Sequence, residues 1–399
     1  MISTTPAAYD VVVVGGGVLG LWIAKDAVDR GMHVALIERA TCGRAASATP
    51  LGALMPHLPG PLDDKKAFQL AALMSLPRAI DDLEAATGRT CGYRALGRII
   101  PIHKATFAAK AETAVTDART HWPEAAARRA AFEIVPPAVV ALPDSYLADT
   151  ATPFGVLRDT LSAAVDASAL TTALRHSVAS RADVYEATEF GNWDSRSGCV
   201  QNVMGRTITT AKACVIAAGT HTFPLLEAAG LDTLGDGIKG QAATFAFDAP
   251  VFKTGPDSAL PPILYDNGIY VIATSPTTAA VGTTTEYDWE VGDPDMRTAD
   301  PMLEKAMALS PILREGTRTR LWAGIRPRAA SRAPLVGPLD GTGLYVATGG
   351  YKITFGIAHA LASGLVSEIA GDTGRMRLPE RFLPELAGSA GSAASAAAE

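Results

Sequence analysis

The clearest pattern in the chain is an unbroken β-branched run, Val11 to Val14 in "YDVVVVGGGVLG", which predicts a short strand buried on both faces. The next segment, "VLGLWIAKDAVDRG", places Leu19, Ile23, Ala27 and Val28 at helical spacing, so a helix is predicted from about Val18, with Gly31 as its stop. "HVALIE" predicts a second buried strand, ending in Glu38. Far downstream, "ACVIAAGTHTF" predicts another such strand running into a turn of small residues at Ala217, Ala218 and Gly219. "GLYVATGGYKITFGIAHALASGLVSEIAG" repeats the order of strand, glycine turn and helix. Between these lie an amphipathic helix in "AFQLAALMSLPRAIDDLEAATG" and strands in "FAFD", "ILYDNGIYVIAT" and "AAVGTTTEYD". Asp266-Asn267-Gly268 reads as a hairpin turn.

The first three elements carry a chemical signature. Gly15, Gly17 and Gly20 fit G-x-G-x-x-G between the strand and the helix. The first permits a sharp turn, the second lets backbone approach a pyrophosphate, and the third lets helix pack closely on strand. The helix N-terminus offers free N–H groups and the positive end of its dipole to phosphates. Glu38, some 20 residues beyond the glycines, suits the two hydroxyls of a ribose. It also opposes a 2′-phosphate there, an objection that Arg39 softens. The spacing therefore predicts a dinucleotide site.

Composition bounds the rest. With 399 residues, one large or two interleaved domains are expected, and 48% hydrophobic against 19% charged residues suffices for a packed core. A net charge of −6 gives no support to nucleic-acid binding. Four cysteines without a C-x-x-C pair suggest reduced thiols. "MISTTPAAYD" has no signal-peptide pattern, and no run of about 20 uninterrupted apolar residues predicts a membrane span. A cytoplasmic protein is expected, its subunit number open to a homo-oligomer. Residues 386–399 are low in complexity and read as a flexible tail.

The glycine turn is not continued by further repeats of the same unit, as a nicotinamide-dependent enzyme would have it. "CGRAASATPLGALMPHLPG" follows, suited to backbone passing along an extended cofactor. The helix after Gly349-Gly350 could aim its N-terminus at an electron-rich flavin carbonyl. From about Tyr9 to Ile369 the chain resembles the D-amino-acid oxidase-like FAD-dependent oxidoreductases, in their glycine oxidase-like branch. The segments that carry the resemblance include "AASATPLGALMPH", "GYRALGRIIPI", "VIAAGTHTFPLL", "GIKGQAATF", "LYDNGIYVIATSPTTAAVGTTTE" and "WAGIRPRAASRAPLVGP".

The resemblance implies FAD and a mixed α/β fold, in which a Rossmann-type FAD-binding domain is interleaved with an antiparallel-sheet substrate domain. The first is expected over 1–60, 145–235 and 320–385, the second over 61–144 and 236–319. Neither Cys nor His stands in "IRPRAASRAP", where related branches attach flavin, so non-covalent FAD is expected. Cofactor contacts are expected from Gly15, Gly17, Val18, Leu19, Gly20, Glu38 and Arg39 at the nucleotide end, and from Ser47, Gly52, Ala53 and Leu54 along its length. Ala218, Gly219 and the run Gly350, Tyr351, Lys352, Ile353 and Thr354 complete the set. No metal is expected.

The implied reaction is oxidation of an amino acid or other primary or secondary amine, with oxygen or another electron acceptor. An amino-acid substrate needs a fixed cation, and Arg326 in "WAGIRP" stands where the family places its carboxylate-binding arginine. Tyr270 and Tyr265 resemble tyrosines near that carboxylate, although strand alternation would separate them unless the turn intervenes. Tyr351 matches a family aromatic, Lys352 replaces an arginine, and Gly350 replaces a histidine. His57 matches a histidine at the entrance to the substrate domain, and a structural role is its alternative. Arg328 and Arg332 depart from the pattern; they are either solvated or a site for a second anionic group on the substrate. The alternative reading is an FAD-dependent tRNA enzyme that removes a carboxymethyl group from wobble uridine, against which stand the acidic balance and the lack of a methyltransferase domain. A flavoprotein without activity is the third.

Overall fold

The computed structural model describes residues 8–122, 124, 131–228, 230, 234–253, 259–339, 343–372 and 377–384, so the tail expected over 386–399 lies outside the described residues. The Val11–Val14 run forms most of the strand Ala8–Val14 at the centre of a sheet. It pairs in parallel with Thr207–Ile216 on one side and Val34–Ile37 on the other, with Val14 opposite both Ile216 and Ile37. Leu344–Thr348 and Leu335–Pro338 extend one edge, and Asp183–Tyr185 the other. Three strands therefore end together, and Gly15, Glu38 and Ala217 follow directly from them.

The helices Val18–Asp29, Ala167–Ala179 and Thr354–Ala370 pack together on this sheet. Leu21, Ile23, Leu174, Ile357, Leu361 and Leu365 share one core. The segment Tyr351–Ala370 is long and apolar enough to cross a membrane by length and composition, which the sequence reading did not expect. Its Ile357, Leu361 and Leu365 are buried inside the protein, where it packs on Val18–Asp29 and Asp64–Thr87.

The second sheet runs in the order Thr317–Ala329, Gly235–Ala246, Thr278–Gly282, Ile269–Ser275, Ile263–Asp266, Arg98–Pro101, Val156–Asp159 and Phe132–Val135. All neighbours are antiparallel except Ile263–Asp266 and Arg98–Pro101, which run in parallel. The mixed α/β fold class expected from the sequence is therefore present. Val156–Asp159, inside the range 145–235 expected for the FAD-binding domain, and Thr317–Ala329, which spans 320, are both strands of this second sheet. The strand expected at "AAVGTTTEYD" ends at Gly282. Thr284 then leaves the ladder, and its Oγ1 accepts the Gln241 N–H at 2.9 Å.

One polar pair is locked into this sheet. Arg98 and Asp159 face each other across adjacent strands, 4% and 2% exposed, with Nε to Oδ2 at 2.7 Å. Ser162 donates to the same carboxylate from its backbone N–H and its hydroxyl, at 2.8 and 3.0 Å. Asp159→Ala leaves the guanidinium buried and unpaired, and should cost about 3–5 kcal/mol in a urea unfolding titration. A loss below about 1 kcal/mol, the level of a surface pair, would contradict this account.

Candidate active site

The ends of the parallel strands and the face of the second sheet enclose a cavity of about 1230 Å³. This exceeds the roughly 300–1,000 Å³ typical of small-ligand pockets and suits a dinucleotide with a substrate beside it. Gly15, Gly17, Val18, Leu19, Glu38 and Arg39 line one end. Gly15 has φ 111°, and a Cβ there would collide with the Ala217 carbonyl, so the turn needs glycine. Gly20 is not among the residues that line the cavity, and a Cβ on it would strike the Gly15 carbonyl, so glycine here lets the helix pack closely on the turn.

The first turn of the helix Val18–Asp29 holds no acidic residue, so its positive end is left for an anion. Ser47 supports that end, its Oγ accepting the Val18 N–H at 3.0 Å. The Glu38 carboxylate accepts from Gly16 N at 2.7 Å and Ala40 N at 2.8 Å, one bond to each oxygen. A carboxylate has about four acceptor positions, so capacity for ribose hydroxyls remains. Arg39 is half exposed and 3.9 Å from Glu189. Ser47, Gly52, Ala53 and Leu54 line the middle, as do Ala218 and Gly219, and the run Gly350 to Thr354 lies further along. Thr348 Oγ1 donates to the Gly219 carbonyl at 2.9 Å, tying the last two turns together. These residues fit FAD.

The remaining wall gathers the residues expected to face the substrate: Arg326, Tyr270, Tyr265, Tyr351, Lys352 and His57. Tyr265 and Tyr270 lie directly opposite each other across the hairpin, ring centroids 4.9 Å apart and planes inclined at 63°. Counting along one strand would separate them, but Asn267 and Gly268, at φ 44° and 88°, turn the chain so that they share a face. Burial raises the Tyr270 hydroxyl above its ordinary range. His57 is also held neutral by burial, and its Nδ1 is buried without a partner.

Arg326 stands opposite Ile238 in the long ladder between Gly235–Ala246 and Thr317–Ala329. Its Nη2 donates to the carbonyls of Lys239 and Thr284 at 3.1 and 2.9 Å, and its Nη1 lies 3.5 Å from Thr283 Oγ1. Nε is buried without a partner. Tyr351, at φ 48°, sets its ring 5.1 Å from the guanidinium carbon. Among the described residues no carboxylate lies within ion-pair distance of Arg326. Burial presses its pKa down from the ordinary arginine value. Gly240 makes the room, because a Cβ there would meet the guanidinium.

Lys352 is partly buried, with Nζ 3.3 Å from Thr285 Oγ1. Burial, then the charge of Arg326, brings its pKa down to about 8. Arg328 is partly buried and Arg332 is exposed; neither lines the cavity. Sequence reasoning missed the support behind Arg326. Lys239 is 4% exposed; its Nζ donates to the Val291 carbonyl at 2.9 Å and lies 3.7 Å from Glu286 Oε2. Gln241 and Thr284 donate to the other oxygen of Glu286. A lone lysine in the small apolar run "GIKGQAATF" was the signal available.

The family profile described as FAD dependent oxidoreductase matches residues 10–365, and the chain belongs to that family. It is 28% identical over 368 residues to a glycine oxidase of Geobacillus kaustophilus (strain HTA426), covering 86% of this chain and 88% of that one. A glycine oxidase of Pseudomonas aeruginosa is 26% identical, with 90% and 94% covered. The solved structure of glycine oxidase from Geobacillus kaustophilus superposes with a TM-score of 0.80 at 23% identity, over 94% of this chain and 98% of that one. The resemblance to the glycine oxidase-like branch is borne out, and FAD is the cofactor. Gly15→Val should yield folded protein without the flavin absorption near 450 nm, or with FAD affinity at least about tenfold weaker. Full flavin content after purification would show that this turn is not the nucleotide grip.

Proposed function

We propose that this enzyme oxidises the α carbon of an amino acid, taking its primary or secondary amine to an imine that water hydrolyses to an oxo acid. The observation that carries the reading is Arg326, a cation in the cavity wall held by backbone carbonyls and without a carboxylate partner among the described residues. A buried charge without its counter-ion is costly, and a substrate carboxylate supplies one. The named relatives, glycine oxidases, support an amino-acid substrate. FAD, held non-covalently by the glycine turns and Glu38, would supply the two-electron oxidising chemistry.

The residues of the chain bind and orient. Arg326 holds the carboxylate through its charge and an N–H of Nη1, since both N–H groups of Nη2 are taken by carbonyls, and the Tyr270 hydroxyl donates to the same group. Tyr265 packs edge-on against Tyr270 and holds it in place. Tyr351 and Lys352 close the pocket on the side of the glycine turn. His57, neutral in its buried setting, shapes the wall and carries no proton in the reaction. The substrate ammonium gives its proton to water, and the nitrogen lone pair then forms the C=N bond as the Cα–H bond breaks with both electrons leaving carbon. No general base at the α carbon is required, so positioning dominates. The electrons pass on to oxygen or another acceptor. In this reading the parallel sheet and its helices form the FAD-binding domain, and the second sheet forms the substrate domain.

Arg326→Met should lower kcat/KM for the best amino acid by about 100-fold or more while the flavin spectrum persists, and Arg326→Lys should restore only part. Gly240→Ala should mimic it, since the added methyl displaces the guanidinium with little cost to the fold. Unchanged kinetics in both variants would remove Arg326 from the site. Lys352 is cationic below about pH 8 and neutral above it. Affinity for a simple carboxylate inhibitor should therefore weaken as pH rises through 8, and Lys352→Met should flatten that limb. A limb that survives in Lys352→Met would belong to another group.

A further inference from the structure

We infer that the substrate carries a second anionic group, held by Lys352 and Arg328 while Arg326 holds the carboxylate of the reacting amino acid. This rests on the amino-acid reading above and narrows its substrate class to diacids: amino acids bearing a further carboxylate or a phosphonate.

The argument begins with one ring. The guanidinium carbons of Arg326 and Arg328 and the ammonium of Lys352 lie 5.1, 5.9 and 5.7 Å from the centroid of Tyr351. Arg326 and Arg328 are two residues apart in the strand Thr317–Ala329 and so project to the same side. A backbone bridge between Arg328 and Gly350 fastens that strand to the turn that delivers Tyr351 and Lys352. Three like charges are thus held around one point by two backbone elements.

Their recorded contacts are with neutral oxygens. Lys352 Nζ meets Thr285 Oγ1 at 3.3 Å and Arg328 Nη1 meets the Tyr287 hydroxyl at 3.3 Å, while Arg326 uses carbonyls and a threonine. Among the described residues no carboxylate forms an ion pair with any of the three. The neighbouring acid, Glu286, is already engaged by Lys239, Gln241 and Thr284. The aromatic ring offsets part of the repulsion among the three cations. A monocarboxylate answers one charge and leaves two beside it; a second anionic group answers the others.

Arg332 has no part in this. It is exposed, at φ 57°, and its carbonyl accepts from Lys65 Nζ at 2.6 Å. Arg326 and Lys352 line the cavity; Arg328 does not, but its guanidinium stands beside the ring of Tyr351, which does. The second group therefore reaches past Tyr351 toward Arg328, on a substituent longer than glycine provides.

The test compares binding and turnover in the FAD-loaded enzyme. Acetate and malonate, neither of which can be oxidised, are titrated while the flavin spectrum is followed. Malonate should bind about tenfold tighter or more, and Arg328→Gln should erase most of that preference. In turnover, glycine carrying a second carboxymethyl or a phosphonomethyl group on nitrogen should exceed glycine in kcat/KM by a similar factor. Equal affinity for acetate and malonate, or an Arg328→Gln enzyme that loses both by the same factor, would overturn the inference. If malonate is preferred through Arg328 but no amine reduces the flavin, the paired anion site stands and the oxidation reading fails. If amines reduce the flavin without preference for diacids, the oxidation reading stands and this inference fails.

Discussion

A guanidinium packed in a cavity wall, with no carboxylate partner among the described residues, sets the terms for the rest of this molecule. Taking a charge out of water costs several kcal/mol even after relaxation, so Arg326 is tolerated only because its surroundings are arranged for it. Two backbone carbonyls accept from one nitrogen, the ring of Tyr351 faces the cation, and Gly240 leaves the space it occupies. Each feature comes from a different part of the chain. The ladder from Gly235 opposite Ala329 to Ala246 opposite Thr317 holds them in register. The buried Lys239–Glu286 pair then fixes the segment that supplies the Thr284 carbonyl.

The parallel sheet solves a separate problem. Its central strands have no polar face because helices and further chain cover both sides, and they stop at one edge. The turns that follow bring glycine backbone, a helix N-terminus and Glu38 to the same end of the cavity. One sheet therefore presents what a dinucleotide needs, and the other presents a cation beside it. The function follows from their shared cavity more than from either sheet alone.

Much of this was legible in the sequence, and the misses have a common cause. The strand Ala8–Val14, its glycines and the following helix are local patterns, and local physics suffices to read them. Gly20 fits the same pattern but faces Gly15, because a motif gives spacing and not orientation. Tyr265 and Tyr270 share a face through a two-residue turn that strand alternation alone does not count. Arg98 with Asp159, and Lys239 with Glu286, join residues far apart in the chain. Only the pairing of strands reveals them. Arg332 lies three residues beyond the strand that carries Arg326 and Arg328, where the chain turns outward, so proximity in sequence misled.

The most direct test of the central claim is anaerobic reduction of the bound flavin. The purified protein would be mixed with amino acids, secondary amines and their diacid derivatives while absorption near 450 nm is followed. Bleaching by an amino acid in the wild type, with saturation lost in Arg326→Met, is the result this account predicts. A flavin that none of these amines reduces, or one bleached equally well when Arg326 is gone, would contradict it.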